Sequence, residues 1–318
     1  MESEISTRRY LLTLFNSMIP PIVGKVTRFA LNKGARKNRI HSYLGFSIVL
    51  PANHMLPTYQ KNNLEYDRFL PYLAKYIPKT ECIIDVGANV GDSLAGMVEQ
   101  NTSSHYICVE ADGDFYRLLL KNVKRIQEYY KDLRVHSLQN FVGKSLSNVK
   151  LEGKNGTKHA VESLESEGIK SVMLDDLMKN VSYTKIGLLK TDVDGFDYDV
   201  LNSSFDIIKT NSPVLYFELF FENENQKKGY SETISSLAGI GYCDWTVFDN
   251  FGAVVLRTSE TKVIFQLMDY VARQNSLLST RTIHYFDILA AQGEHLVTVD
   301  LALGDYFSNE SHSPPNTK

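Results

Sequence analysis

The chain has 318 residues, a formal net charge of -3, 43% hydrophobic content and 22% charged content. These values suit a globular protein of one large α/β domain with additions, or of two domains, and they argue against a disordered chain or a general nucleic-acid binder. The charge is uneven: residues 1–40 hold eight Lys/Arg against Glu2 and Glu4, about +6, which leaves the remainder near -9.

Cys82, Cys108 and Cys243 lie far apart in apolar stretches with no Cys-x-x-Cys pair, so they read as buried, reduced thiols of a cytoplasmic protein and not as zinc ligands. No run reaches the roughly 18–20 apolar residues needed to cross a bilayer. Ser6-Thr7-Arg8-Arg9 before an apolar run has no small-x-small cleavage site after it, so it does not read as an export signal. Residues 1–40 read instead as one or two helices broken at Pro20-Pro21 and ending in the basic cluster Lys33 to Arg39. Such a segment suits packing, oligomer contact (a homo-oligomer) or a peripheral rest on an anionic membrane face.

From there the elements follow in order. Tyr43 to Leu50 looks like a strand, and Asp67 to Tyr76 like a helix if Pro71 falls in its first turn. Cys82-Ile83-Ile84-Asp85-Val86 is a buried strand ending in an acid, followed by a glycine turn and the helical run Ser93 to Val98. His105 to Glu110 repeats strand-then-acid, Phe115 to Tyr130 has helical apolar spacing, and Leu133 to Leu138 is a third strand. Asn148 to Gly168 reads as a polar loop or hairpin over the sheet edge, and Ser171 to Leu174 as a short strand before a helix capped by Asp175-Asp176. Ile186 to Asp192 is another core strand, Tyr198 to Ile208 a helix, Pro213 to Glu218 a strand, and Ser231 to Ile240 a helix. Trp245 to Phe248 and Ala253 to Leu256 pair across Asp249-Asn250-Phe251-Gly252 as a hairpin. A helix over Thr261 to Gln274 and a last strand over Ile283 to Ala290 precede a disordered tail, 308–318.

Alternating strands and helices predict a doubly wound, mostly parallel seven-stranded sheet with an antiparallel edge hairpin. The expected organisation is an N-terminal extension, 1–65, a catalytic domain, 66–307, and the tail.

The strand ends carry the chemistry. Nineteen residues separate Gly91 from Glu110, which places Glu110 where a carboxylate accepts from both hydroxyls of a ribose. The loop Gly87-Ala88-Asn89-Val90-Gly91-Asp92 is not the dinucleotide fingerprint. Its bracketing acids, Asp85 and Asp92, repel a pyrophosphate but suit a sulfonium or an amino group. S-adenosylmethionine has both, with a free ribose diol, and Asp85 is expected to face its charge. Asp192 and Glu218 end neighbouring strands and are the expected base candidates for a hydroxyl acceptor, with His54 and His159 in loops that cover the site and His159 a further candidate. Asp192 and Asp194 could hold Mg²⁺; Asp194 and Asp197 could equally cap the following helix.

The run Ile84 to Asp92 resembles the first motif of the FkbM family of S-adenosylmethionine-dependent methyltransferases. Val109-Glu110-Ala111-Asp112, Met173 to Leu177, Leu189 to Leu201 and Pro213 to Glu218 agree with it in order. Asp194, Asp197 and Asp112 depart from it, since the family usually has Glu, Glu and Pro there. The resemblance implies that Gly87, Asn89 and Gly91 contact the methionine end, that Glu110 and Ala111 lie at the ribose, and that Asn140 and Phe141 flank the adenine. It implies O-methylation of a sugar, glycan or other small-molecule acceptor. Two rival readings stand beside it: a glycosyltransferase using Asp192-Val193-Asp194 as a metal site, and a noncatalytic partner in a biosynthetic complex.

Overall fold

A computed structural model describes residues 38–43, 46–63, 65–144, 149–152, 159–162, 170–277 and 282–310. The chain divides into two compact units, and the first, Met1–Arg39 with Pro51–Asn53, lies almost wholly outside those residues. The helices and the membrane contact expected in residues 1–40 therefore fall outside the description. Among the described residues no helix is long and apolar enough to cross a membrane.

The described residues form fourteen strands and ten helices. Strands β1 (Arg39–Tyr43) and β2 (Phe46–Leu50) form a small sheet, and helices α1 (Leu56–Asn62) and α2 (Phe69–Tyr76) follow. The doubly wound part begins with β3 (Glu81–Val86), α3 (Asp92–Gln100), β4 (His105–Val109), α4 (Gly113–Tyr129) and β5 (Arg134–Leu138). Short β6 (Phe141–Val142) pairs with β9 (Ser171–Val172), and β7 (Val149–Glu152) with β8 (His159–Glu162), the hairpin expected over the sheet edge. Then come α5 (Leu174–Met178), β10 (Lys185–Thr191), α6 (Asp197–Ser203), α7 (Phe205–Asn211), β11 (Val214–Leu219) and α8 (Glu224–Gly239). The chain closes with β12 (Asp244–Asp249), β13 (Val254–Thr258), α9 (Thr261–Leu277), β14 (Phe286–Ala291) and α10 (His295–Glu310).

The central sheet has eight strands in the order β13-β12-β14-β11-β10-β3-β4-β5. From β11 through β5 all pairings are parallel, while β14 is antiparallel to both β11 and β12. The count exceeds the expected seven because β13, the return strand of the hairpin, extends the edge beyond β12. Side chains along β3 alternate between two cores: Ile83 joins the core under α2, α3, α4 and α10, while Cys82, Ile84 and Val86 join the core under α5 to α9. That division is the period-2 geometry of a strand buried on both faces. Phe46, Ile48 and Leu50 of β2 belong to the first of these cores, so the boundary expected at Tyr66 does not separate two cores among the described residues.

Local chemistry explains several element ends. Asp112 caps α4 by accepting from the backbone N–H groups of Asp114 (2.9 Å) and Phe115 (3.0 Å). The single helix expected over Tyr198 to Ile208 is two, because the Ser203 and Ser204 hydroxyls both donate back to the Val200 carbonyl and compete with the helical ladder. Asp175, expected to cap the helix that contains it, caps α7 instead, accepting from the N–H groups of Asp206 (3.1 Å) and Ile207 (3.0 Å). The first three residues of the tail expected from Ser308 are helical, since α10 runs to Glu310; the rest, 311–318, lies outside the described residues.

Candidate active site

The strand order reverses where β3 lies between β4 and β10, and an open α/β sheet binds ligands at the carboxyl ends of its strands at such a point. The glycine loop after β3 stands there. Gly87 has φ of +78°, and a Cβ on it would collide with the Asp192 carbonyl oxygen. Its lack of a side chain therefore serves the close crossing of two chain segments. Asn89 turns with φ of +47°, and Gly91, with φ of +86°, is the residue at which α3 begins. Gly91 touches neither of the cavities described below; a side chain there would meet Leu119.

Glu110 locks this loop. Its Oε2 accepts from the Asn89 N–H (2.8 Å) and its Oε1 from the Asp112 N–H (2.7 Å). Burial pushes its pKa up to about 7 in spite of those two bonds. One narrow cleft collects Glu110, Ala111, Asn140 and Phe141 with Gly87, Asn89, Asp192 and Asp194, so most of the residues expected at an adenosine share a wall. The fully buried Asn122 braces the same loop from α4: its amide donates to the carbonyls of Val90 (2.8 Å) and Val49 (3.0 Å), and its oxygen accepts from the Val49 N–H (2.7 Å).

Asp85 is a correction. Its carboxyl is fully buried, lines neither cavity, and pairs with Lys190 Nζ at 3.0 Å. Asp85 and Lys190 are register partners on the adjacent strands β3 and β10, so the ammonium reaches the carboxylate that a sulfonium was expected to meet. Burial works against the Lys190 charge, yet Asp85 first and Asp192 second hold its pKa above the ordinary value. Lys190 Nζ stands 3.5 Å from Asp192 Oδ2, and the Asp192 side chain is half exposed between the two cavities. Beyond it the chain turns through Asp194 and Gly195, both at positive φ. Asp194 lines both cavities, whereas Asp197 is fully buried in the first turn of α6, where its Oδ2 accepts from the Val193 N–H (3.3 Å).

The second cavity measures about 430 Å³ and is lined by seven acidic residues, Glu218, Asp92, Asp192 and Asp194 among them. Of its wall, the sequence pointed to His54 but not to Asp67, Tyr66, Tyr285 or Asp287. His54 is buried there, its Nδ1 accepting from the Leu56 N–H (3.3 Å) and its Nε2 facing Asn89 Oδ1 at 3.5 Å. Asp67, at φ of +58°, lies on the same wall, as do Tyr66, Tyr216, Tyr285 and Asp287. Burial, reinforced by Asp92 and Asp192, pushes the Asp67 pKa up to about 8. Burial and then Asp192 push Glu218 and Asp287 well above the usual carboxylate range. The available signal for Asp287 was a lone acid inside the apolar run Phe286 to Ala291.

The Mg²⁺ site expected at Asp192 and Asp194 has no third ligand converging on it among the described residues. Among the described residues, the set of three metal-capable side chains that does converge is Glu81, Glu294 and His295, at the opposite end of β3, where Lys185 already pairs with both glutamates. His159 heads β8 opposite Glu152, and its side chain lies outside the described residues.

The sequence profile described as "Methyltransferase FkbM domain" matches residues 85–244. No curated protein matches the chain by sequence. Among solved structures, methyltransferase FkbM from Methylobacillus flagellatus KT aligns at 18% identity over 50% of this chain and 38% of that one, with a TM-score of 0.35. The chain thus spans well under half of that protein's length. An O-methyltransferase from Bacillus cereus, in complex with SAH, aligns at 11% identity over 71% of this chain and 80% of that one, TM-score 0.41. The O-methyltransferase TomG from Streptomyces achromogenes, in complex with SAM, gives 12%, 71%, 79% and 0.40. TM-scores below 0.5 decide nothing about this chain, whereas the profile spans half of it and covers the loop, Glu110, Asp192 and Glu218 together. The chain belongs to the family of FkbM methyltransferase domains.

Proposed function

We propose that the protein transfers a methyl group from S-adenosylmethionine to a hydroxyl of a sugar, glycan or other small-molecule acceptor. The observation that carries this reading is the narrow cleft holding Glu110 and Phe141, which shares Gly87, Asn89, Asp192 and Asp194 with the 430 Å³ cavity. The cofactor, when bound, supplies an electrophilic methyl group on a cationic sulfur. Glu110 offers its remaining lone pairs to the ribose diol, Phe141 covers the adenine, and the shared wall is where methyl and acceptor meet. Asp192 is the general base: its half-exposed carboxylate stands at the junction, 3.5 Å from the Lys190 ammonium. An in-line displacement gains chiefly from such positioning. The glycosyltransferase reading loses support because the family model that matches residues 85–244 is that of a methyltransferase domain.

Calorimetry with S-adenosylhomocysteine (SAH) is the test, with saturable binding expected; no heat of binding would sink the reading. Asp192→Asn is expected to lower turnover by about 10²–10⁴-fold while SAH affinity changes little. Unimpaired turnover in that variant would remove Asp192 as the base.

A further inference from the structure

We propose that the acceptor carries a cationic amino group, held by Glu218, Asp287 and Asp67 on the wall of the larger cavity beyond the cofactor loop. The inference rests on the methyltransferase reading above and narrows its substrate class to hydroxylated amines.

Glu218 on β11 and Asp287 on β14 are register partners of an antiparallel pair, and both line the cavity. Like charges directly opposite one another on a sheet are destabilising. Such a pair needs a shared proton or a bound cation. Glu218 is 7% exposed, and its Oε2 finds no hydrogen-bond partner. An orphaned buried acceptor is costly until a donor arrives. No side chain of the wall supplies one. Its lysine or arginine residues are Lys190, committed to Asp85 and Asp192, and Arg68, which is exposed.

The methyl donor does not account for these acids. Its own positive charges fall by the glycine loop, where Asp92, Asp192 and Asp194 stand. Asp67, Glu218 and Asp287 are additional, and Tyr66, Tyr216 and Tyr285 accompany them. Aromatic faces beside carboxylates are the surroundings an alkylammonium prefers. Once these carboxyls give up their protons, an ammonium compensates the pair, which neither an anionic acceptor nor a neutral polyol does. Because burial raises the pKa values of these carboxyls, the ligand-free wall holds protons that an ammonium displaces, so amine binding tightens as pH rises.

The test titrates the SAH-saturated protein at pH 8 with matched pairs: glucosamine against N-acetylglucosamine and glucose, and 3-amino-1-propanol against its N-acetyl derivative. Amines are expected to bind about tenfold or more tightly than their neutral partners. That preference is expected to vanish in Glu218→Gln/Asp287→Asn, with SAH affinity as the check on folding. Equal binding within the pairs, preference for the neutral member, or no detectable amine binding overturns the proposal. So does thermal stabilisation by Mg²⁺ alone that the double variant loses, since the wall would then be a metal site. Failure of SAH to bind would instead sink the methyltransferase reading, and the two failures are separable.

Discussion

Lys190 and Asp85 show what a single buried pair decides. Both are nearly inaccessible, 3% and 0% exposed, and each neutralises the other beneath the cofactor loop. Removing one partner of such a pair leaves an uncompensated buried charge and costs about 3–5 kcal/mol. Lys190→Met is therefore expected to lower unfolding free energy by about that amount in denaturant titration, and Asp85→Leu/Lys190→Met to recover most of it. A double variant as unstable as the single one would show that the pair is not what stabilises this spot. The acid at the end of β3 was legible in the sequence, but its role was not. Its partner lies on another strand, and the register that sets them side by side is written in no local pattern. Glu110 was legible in place and type because strand-then-acid is a local signal; its second task, gripping the Asn89 amide, depends on how the loop folds back.

At the scale of elements, apolar runs bounded by turn residues placed β3, β4, β5, β10, β11 and the β12–β13 hairpin within a residue or two. What they could not place was the insertion of β14 between β11 and β12, because strand order is a tertiary property. That insertion sets Asp287 opposite Glu218, which is why the acidic wall of the larger cavity was nearly invisible from sequence. Helix α1 was missed for a different reason: it is short, has Pro57 in its first turn, and buries only Leu56. The division of α6 from α7 is testable. Asp175 supplies both cap bonds of α7, so Asp175→Ala is expected to cost about 0.5–2 kcal/mol and to leave SAH affinity unchanged, read by thermal unfolding and calorimetry. No loss of stability would mean that the α7 amides find equivalent partners elsewhere.

For the whole molecule, the concentration of carboxyls at one end of the sheet makes stability depend on pH in an unusual direction. Burial raises Asp67 and Asp197 to about 8 and Glu110 to about 7. A carboxyl raised in the folded state stays protonated while its unfolded counterpart ionises near pH 4, so its contribution to stability falls as pH climbs to the folded pKa. His105 and His295, lowered by burial, act in the opposite sense below about 6.5. The fall is therefore expected to be steepest between about pH 6.5 and 8. Asp269 and Glu294, lowered by lysine partners, act only below pH 4. Scanning calorimetry of the ligand-free protein is expected to show a lower melting temperature at pH 8 than at pH 6.5. Asp67→Asn, which keeps a residue tolerant of positive φ, is expected to restore on the order of 1–2 kcal/mol at pH 8; the half-buried side chain is partly screened, so the full shift is not recovered. A melting temperature that rises across this interval would contradict the account.

The backbone stitch between the two loops has one more consequence. The Asp192 N–H donates to the Val86 carbonyl at 3.1 Å, and the Asp192 carbonyl fills the space that a side chain at position 87 would need. The loop after β3 and the turn after β10 are thus tied directly to each other, and the proposed donor site and base share that tie. Acceptor fit must then be tuned from the opposite side, by residues 54–70, 250–252 and 284–287. For engineering, that splits the cavity into a constant half and a programmable half. If the proposed transfer is right, libraries confined to those three segments are expected to change acceptor choice, while changes at 85–92 or 190–195 are expected to lower turnover with every acceptor.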